Sequence, residues 1–349
     1  PRLCLVQIAG PDEAAAIDTL APDLDLQPLY DLMANREILK VFHAGRQDVE
    51  IFFHATGTIP EPLFDTQVAA MVCGFGDQVS YENLVSKLVG ASTDKSSRFT
   101  DWAHRPLTQK QLQYALADVI HLRPAYEKLL AELEKSGRTR WLDQERAVLL
   151  DPTTYRLEPE RAWRRLKSRT NNRRFHAIVR ELAAWRETEA QNRNVPRNRI
   201  LRDDAILEVA AQAPDETRAL ERMRALPKGY ANSAAGDQIL EAVKRAKSLP
   251  DSEFPVIPKR ESRPAGLGTV TDLLKVLLTH VTEHHNVAPR LIASADDLEK
   301  IAADDNADIP ALQGWRRELF GEDALALKHG EVALAVKGRK TRVINLKDK

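Results

Sequence analysis

The stretch Val41-Phe42-His43-Ala44-Gly45-Arg46-Gln47-Asp48 reads as a short strand that ends in a glycine turn and enters a helix, with an acid in the first helical turn. Upstream lie the apolar runs LCLVQIA (3–9) and AAAIDTL (14–20) and a helix-like stretch to Leu39. Downstream, PLFDTQVAAMV (62–72) passes from a strand into a helix around Asp65, and Tyr81 to Leu88 forms another short helix. Short apolar runs alternating with helical patterns over residues 1–135 are the grammar of an α/β domain. A polar stretch, GASTDKSSRFTDWAHRPLT (90–108), has the Ser, Thr, Asp and Pro content of an ordered loop. Thr108 is placed to N-cap a helix running to Ser136. At 100° per residue, Leu112, Leu116, Val119 and Ile120 form one stripe of that helix, predicted to pack, with Tyr114 and Asp118 together on roughly the opposite side.

The whole chain has 349 residues, which suggests two or three domains. Apolar residues at 43% and charged residues at 29% exclude a chain disordered throughout. Lys+Arg and Asp+Glu balance at 51 each, so any affinity for a polyanion must come from local patches. Two cysteines, Cys4 and Cys73, are too few for a disulfide framework and have no zinc spacing, which points to a reducing, cytoplasmic setting. No apolar run approaches the roughly 18 residues of a membrane span, and no membrane association or obligate protein partner is expected. The chain opens on Pro1 and enters the run Leu3 to Ala9 directly, as if partway through a fold.

After Gly137 the pattern becomes helical. Between Arg164 and Asp204 there are twelve Arg or Lys residues against five Asp or Glu. Within this segment Phe175, Ile178, Val179, Leu182 and Trp185 recur as the apolar stripe of a core helix with a basic outside. The Pro-rich, charged stretch SLPDSEFPVIPKRESRPAG (248–266) then separates it from a last helical region beginning near Thr269. The expected division is an α/β domain at 1–140, a linker helix at 141–168, and helical domains at 169–250 and 266–349.

An isolated acid such as Asp48 equally suits the helix macrodipole, and Tyr114 with Asp118 equally suits a solvated helix face. The combination is more specific. The strings FHAGRQDVEIF (42–52), LFDTQVAA (63–70), STDKSSRFTDWAHRPLT (92–108) and QLQYALADVIHL (111–122) resemble, in order and spacing, the ribonuclease D family. That family is part of the DEDD exonucleases, in the subgroup whose last motif is Tyr-x-x-x-Asp. The resemblance implies a ribonuclease H-like α/β fold and hydrolysis of phosphodiesters by two Mg²⁺ or Mn²⁺ ions about 4 Å apart. It makes Asp48 and Asp118 metal ligands and gives Tyr114 the placing of the attacking water. Oxygen ligands suit magnesium, and no Cys or His cluster suggests zinc.

The same resemblance calls for a first motif, Asp-x-Glu, that would lie upstream of Pro1. Asp18 is a poor substitute, because Leu20 stands where the Glu would be. The span from Pro1 onward, lacking that motif, is expected to bind metal weakly and to hydrolyse little. Asp65 is expected to cap a helix and His43 to close a strand. Lys95 and Arg105, in the polar loop, are candidates for phosphate contact or for solvated charge, and Trp102 for anchoring the loop.

The string LAAWRETEAQNRNVPRNRILRDDAILEVA (182–210), followed by ALERMRALPKGY (219–230), resembles the helicase-and-RNase-D C-terminal (HRDC) domain, a helical bundle that binds nucleic acid. Arg193, Arg197 and Arg199 are its candidate phosphate contacts. DLLKVLLTHVTEHH (272–285) and LIASADDLEKIAAD (291–304) suggest a second, divergent copy, with His280, His284 and His285 as surface histidines. The fold expected is therefore an exonuclease domain followed by one or two all-α HRDC bundles. The function implied is 3′-to-5′ exoribonuclease action on RNA, chiefly tRNA precursors, releasing nucleoside 5′-monophosphates. A DNA exonuclease of the same superfamily and a nuclease-dead RNA-binding scaffold are the alternatives.

Overall fold

The computed structural model describes residues 2–92, 97, 100–156, 158–168, 170–257 and 266–346. It divides into two compact units, and the division does not follow the chain. One unit joins residues 3–154 to 262–349, and the other is formed by 155–261 with the first two residues.

In the first of these, β1 (Val6–Ala9) and β2 (Ala14–Ile17) pair antiparallel. The helix α1 (Gln27–Ala34) leads to β3 (Lys40–Phe42), and α2 (Arg46–Thr56) crosses to β4 (Leu63–Asp65), which pairs with β3 in parallel. The strand–helix–strand crossover is what parallel pairing requires. Among the described residues β1–β2 and β3–β4 are separate two-stranded sheets. The helices α3 (Thr66–Val72), α4 (Tyr81–Val89), α5 (Gln109–Ile120), α6 (Leu122–Ser136) and α7 (Trp141–Leu150) follow.

Two local expectations change here. The helix predicted from Thr108 to Ser136 begins as read, with Thr108 and Gln111 closing a capping box. It breaks at His121, because Pro124 has no N–H for the preceding turn and its ring would strike the carbonyl four residues back. The predicted apolar stripe is also shallower than expected. Ala115 and Gln111 are the buried positions of α5, while Ile120 is 49% exposed. Gln111 is buried because its side chain serves the capping box and reaches Thr100 Oγ1, 3.2 Å away.

The second unit holds α8 (Arg173–Asn192), α9 (Arg197–Ile200), α10 (Asp203–Gln212), α11 (Thr217–Glu221) and α12 (Ala234–Ser248). Ile178, Val179 and Leu182 lie at its centre against Ile206, Ile239 and Val243, as the stripe requires. Arg186 is not part of the basic outside: it is 2% exposed, donating to the Leu201 carbonyl and to Asp203 at 2.9 and 2.6 Å. The predicted linker helix divides between the units. Its first half is α7, whereas the 3₁₀ turns at Pro159–Arg165 bury Ala162 and Leu166 among the HRDC-like helices.

The last region comprises α13 (Gly268–His285), α14 (Pro289–Ile292), α15 (Ala295–Ala303), α16 (Gly314–Arg316), a π turn (Arg317–Gly321) and α17 (Glu322–Lys328). A hairpin, β5 (Val332–Lys337) and β6 (Lys340–Asn345), ends it. The order long helix, four-residue helix, helix with two acids in its first turn repeats that of α8 to α10. Asn194 and Asn286, each followed by Val, both turn with φ 49°. The second module is not an independent body as its boundaries suggested. Leu274, Leu277, Leu291, Ile301 and Phe320 share one core with Ala69, Val72, Leu84, Leu129 and Leu133 of α3, α4 and α6. Trp141 and Trp315 stack at 4.2 Å between centroids, and Arg138 reaches the carbonyls of Val72 and His285. Burying the apolar faces of α3, α4 and α6 needs the last helices of the chain.

Candidate active site

The turn before Asp48 is built to close tolerances. Ala44 sits at φ 55°, and a Cβ on Gly45 would fall 2.5 Å from Phe42 Cβ, so only glycine fits there. The Asp65 carboxylate accepts from Ala44 and Gly45 N–H at 3.1 and 2.8 Å, and from Gln67 and Val68 N–H at 2.8 and 3.4 Å. It thus caps α3 and fastens the turn of α2 with the same oxygens, in keeping with a structural acid. His43 is held by Thr66 Oγ1 at 3.0 Å and by the Val79 carbonyl, 3.1 Å from Nε2. Because a carbonyl only accepts, Nε2 carries the proton. Burial lowers the His43 pKa, which disfavours the charged ring.

Asp48 emerges from this turn with an exposed side chain. The surrounding protein still withholds enough water from the carboxyl to raise its pKa, and the charge of Asp65 adds to the effect. On α5, Tyr114 and Asp118 lie one helical turn apart, both half-buried. Burial pushes Asp118 up to about 6, with repulsion from Glu82 adding to it. The Tyr114 ring lies 6.0 Å from that of Trp102, tilted by 35°.

The two acidic positions are tied through Tyr81, a residue that carried no role in the sequence reading. First in α4, it meets His43 edge-on at 5.6 Å between ring centroids, and its hydroxyl donates to the Ala117 carbonyl at 2.9 Å. It therefore bridges the turn that carries Asp48 and the helix that carries Asp118. Burial, and then the Asp118 charge, raise the Tyr81 pKa. The available signal was Ser80 as an N-cap, which places Tyr81 at the head of a helix.

Arg105 has a different occupation from the phosphate contact considered for it. Nε and Nη2 donate to Asp18 at 2.7 and 2.6 Å, Nη2 also to the Cys4 carbonyl, and Nη1 to the carbonyls of Trp102 and His104. All five guanidinium N–H groups are accounted for within the protein. Asp18, engaged in this pair, is held well below the usual carboxylate range by the Arg105 hydrogen bonds. The pair fixes the carbonyl of Trp102 and so the loop beside Tyr114. Lys95 lies outside the described residues.

The donor chemistry at Asp48 and Asp118 fits a hard divalent cation, since both offer carboxylate oxygen in partly dehydrated surroundings. Among the described residues no three His, Cys, Asp or Glu side chains gather to hold an ion. In the HRDC-like unit, Arg193 pairs with Glu189 at 2.5 Å, while Arg197 and Arg199 form no ion pair among the described residues. The Tyr230 hydroxyl donates to the Ile200 carbonyl and steadies that turn.

No described helix is long and apolar enough to cross a membrane. Residues 1–134 match a 3′-5′ exonuclease family model, and residues 175–243 match the HRDC domain. A Ribonuclease D of Granulibacter bethesdensis is 52% identical over 99% of this chain and 87% of its own length. The Ribonuclease D of Nitrobacter hamburgensis is 54% identical over 98% and 90%. The crystal structure of Escherichia coli RNase D, described as an exoribonuclease involved in structured RNA processing, superposes with a TM-score of 0.79 at 30% identity, over 95% of this chain and 89% of that one. With the exonuclease and HRDC folds both present and relatives aligned along nearly the whole chain, this protein belongs to the ribonuclease D family of metal-dependent 3′-to-5′ exoribonucleases.

Proposed function

We propose that Asp48, Tyr114 and Asp118 act at the scissile phosphodiester of an RNA 3′ end, chiefly in tRNA precursors, and that the protein works in the cytoplasm. Asp48 and Asp118 would hold Mg²⁺ or Mn²⁺, which supplies charge neutralisation and an activated water. Tyr114, one turn from Asp118 on the same helix face, orients the attacking water through its hydroxyl. Arg193, Arg197 and Arg199 take phosphates further along the RNA and add affinity without sequence preference. The observation that carries this reading is the Tyr81 bridge, which couples a half-buried Asp118 to the turn bearing Asp48.

The test is Asp118→Asn in the full-length protein, assayed on a 3′-tailed tRNA precursor. Metal-dependent release of nucleoside 5′-monophosphates should fall by roughly a thousandfold, the order seen on removing a main transition-state stabiliser. RNA affinity should stay within about twofold, because binding to phosphates elsewhere dominates it. Digestion at the unaltered rate would remove Asp118 from the site.

A further inference from the structure

The hairpin β5–β6 is rooted in the shared core through Leu334 and Val343, and Leu346 N–H closes its base on the Glu331 carbonyl at 2.9 Å. Its register pairs Leu334 with Val343, Ala335 with Arg342, and Lys337 with Lys340. Since side chains alternate between faces, Leu334 and Val343 define the inward face. Ala335, Lys337, Lys340 and Arg342 then share the outward one. Arg339 occupies the turn, after Gly338 at φ 65°.

Lys337, Arg339, Lys340 and Arg342 are all exposed, and none forms an ion pair among the described residues. No Asp or Glu lies between Glu331 and Leu346 in the sequence. Lys337 and Lys340 stand directly across from each other, an arrangement that destabilises a strand pair. The fold gains nothing from setting like charges there. A two-stranded ribbon that carries small Ala335 beside its cations can lie close against a polyanion, and the sequence-independent class of such binding is to phosphates.

We propose that this ribbon is an RNA-binding surface separate from the acidic site and from the HRDC arginines, in which Lys337, Arg339, Lys340 and Arg342 hold the phosphodiester backbone. The wide, shallow minor groove of an A-form stem, flanked by phosphates, suits a ribbon better than the deep, narrow major groove. The inference rests on RNA being the substrate, and it adds a second foothold for structured RNA.

The test uses the full-length protein and a labelled RNA hairpin with a 3′ tail, without divalent metal so that no digestion occurs. Fluorescence anisotropy is read from 50 to 300 mM KCl. Replacing all four cations with Gln should weaken binding roughly tenfold near 0.1 M salt and flatten the salt slope by about 0.7 to 0.9 for each phosphate no longer neutralised. Lys337→Glu alone should weaken RNA binding while preserving or raising the melting temperature, because it sets opposite charges across the ribbon. A purely structural role could not produce that split. Unchanged affinity and slope in the Gln variant, with the parent protein binding normally, would overturn the ribbon proposal and leave the exonuclease assignment standing. So would aggregation of the Gln variant with RNA affinity intact, which would mark the cations as guards of the strand edges. Loss of binding to vesicles of anionic lipid with RNA affinity intact would likewise overturn it. A parent protein that neither binds nor digests RNA would sink both.

Discussion

The Tyr81 hydroxyl donates to the Ala117 carbonyl at 2.9 Å, one residue before Asp118, while its ring rests edge-on against His43, five residues before Asp48. A single aromatic side chain thereby sets the spacing of two acids carried by different helices. Tyr81→Phe keeps the ring and removes the hydrogen bond. Stability should fall by about 1 kcal/mol. Turnover should fall by roughly tenfold or less through misplacement of Asp118, with RNA affinity unchanged. Wild-type turnover in Tyr81→Phe would limit Tyr81 to packing.

The raised pKa of Asp118 carries a cost in stability. Its folded-state pKa of about 6 lies above the ordinary carboxylate value of 3.8. Between those pH values the folded protein holds more protons than the unfolded chain, so its stability declines as pH rises through the window. Allowing for partial exposure, the penalty at neutral pH is about 1–2 kcal/mol. Asp118→Asn should therefore raise the melting temperature of the metal-free protein at pH 7.5 and have little such effect near pH 3.5, where both proteins lack the charge. Thermal melts across pH decide this, and an equal gain at both extremes would rule out charge as the cause.

The five donors of Arg105 lead to the opposite expectation from a phosphate-binding role. Arg105→Gln should lower the melting temperature and slow turnover, because the loop carrying Trp102 loses its tether beside Tyr114. RNA affinity and its salt slope should change by less than about twofold, since this guanidinium neutralises no phosphate. A flatter salt slope in this variant would return Arg105 to the RNA interface.

Trp315 packs its face on Trp141, and its core is shared by residues far apart in sequence. Trp315→Ala should cost about 3–5 kcal/mol. Hydrogen exchange should rise in α3, α4 and α6 as well as in α13 to α17, while α8 to α12 keep their protection. Exchange confined to the C-terminal helices would show that the common core does not unfold together.

What could be read from the sequence was mostly local. The turn at Gly45, the Thr108 cap, the capping role of Asp65 and the apolar stripe of α8 all depend on residues within a few positions of each other. Pro124 carried the helix break at His121, but the continuous apolar pattern concealed it. The Arg105–Asp18 pair spans 87 positions, and an arginine in a polar loop has the same local pattern whether it meets phosphate or carboxylate. Arg186 similarly looked like one more surface cation until Asp203 and the Leu201 carbonyl enclosed it. The helical repeat at the C-terminus was visible as a pattern. Periodicity shows only that a face is apolar, so it could not reveal that Leu274 and Leu277 meet Leu129 and Leu133.

The body formed by residues 3–154 and 262–349 is interrupted by a unit with its own core. During synthesis the apolar faces of α3, α4 and α6 emerge well before α13 to α17, and at roughly 5–20 residues per second the wait is on the order of ten seconds or more. The intervening HRDC-like helices can complete their fold within that interval. Until α13 to α17 are made, the leucines and alanines of α3, α4 and α6 lack the partners they have in the finished core. Completion of that core is thus timed by the synthesis of α13 to α17.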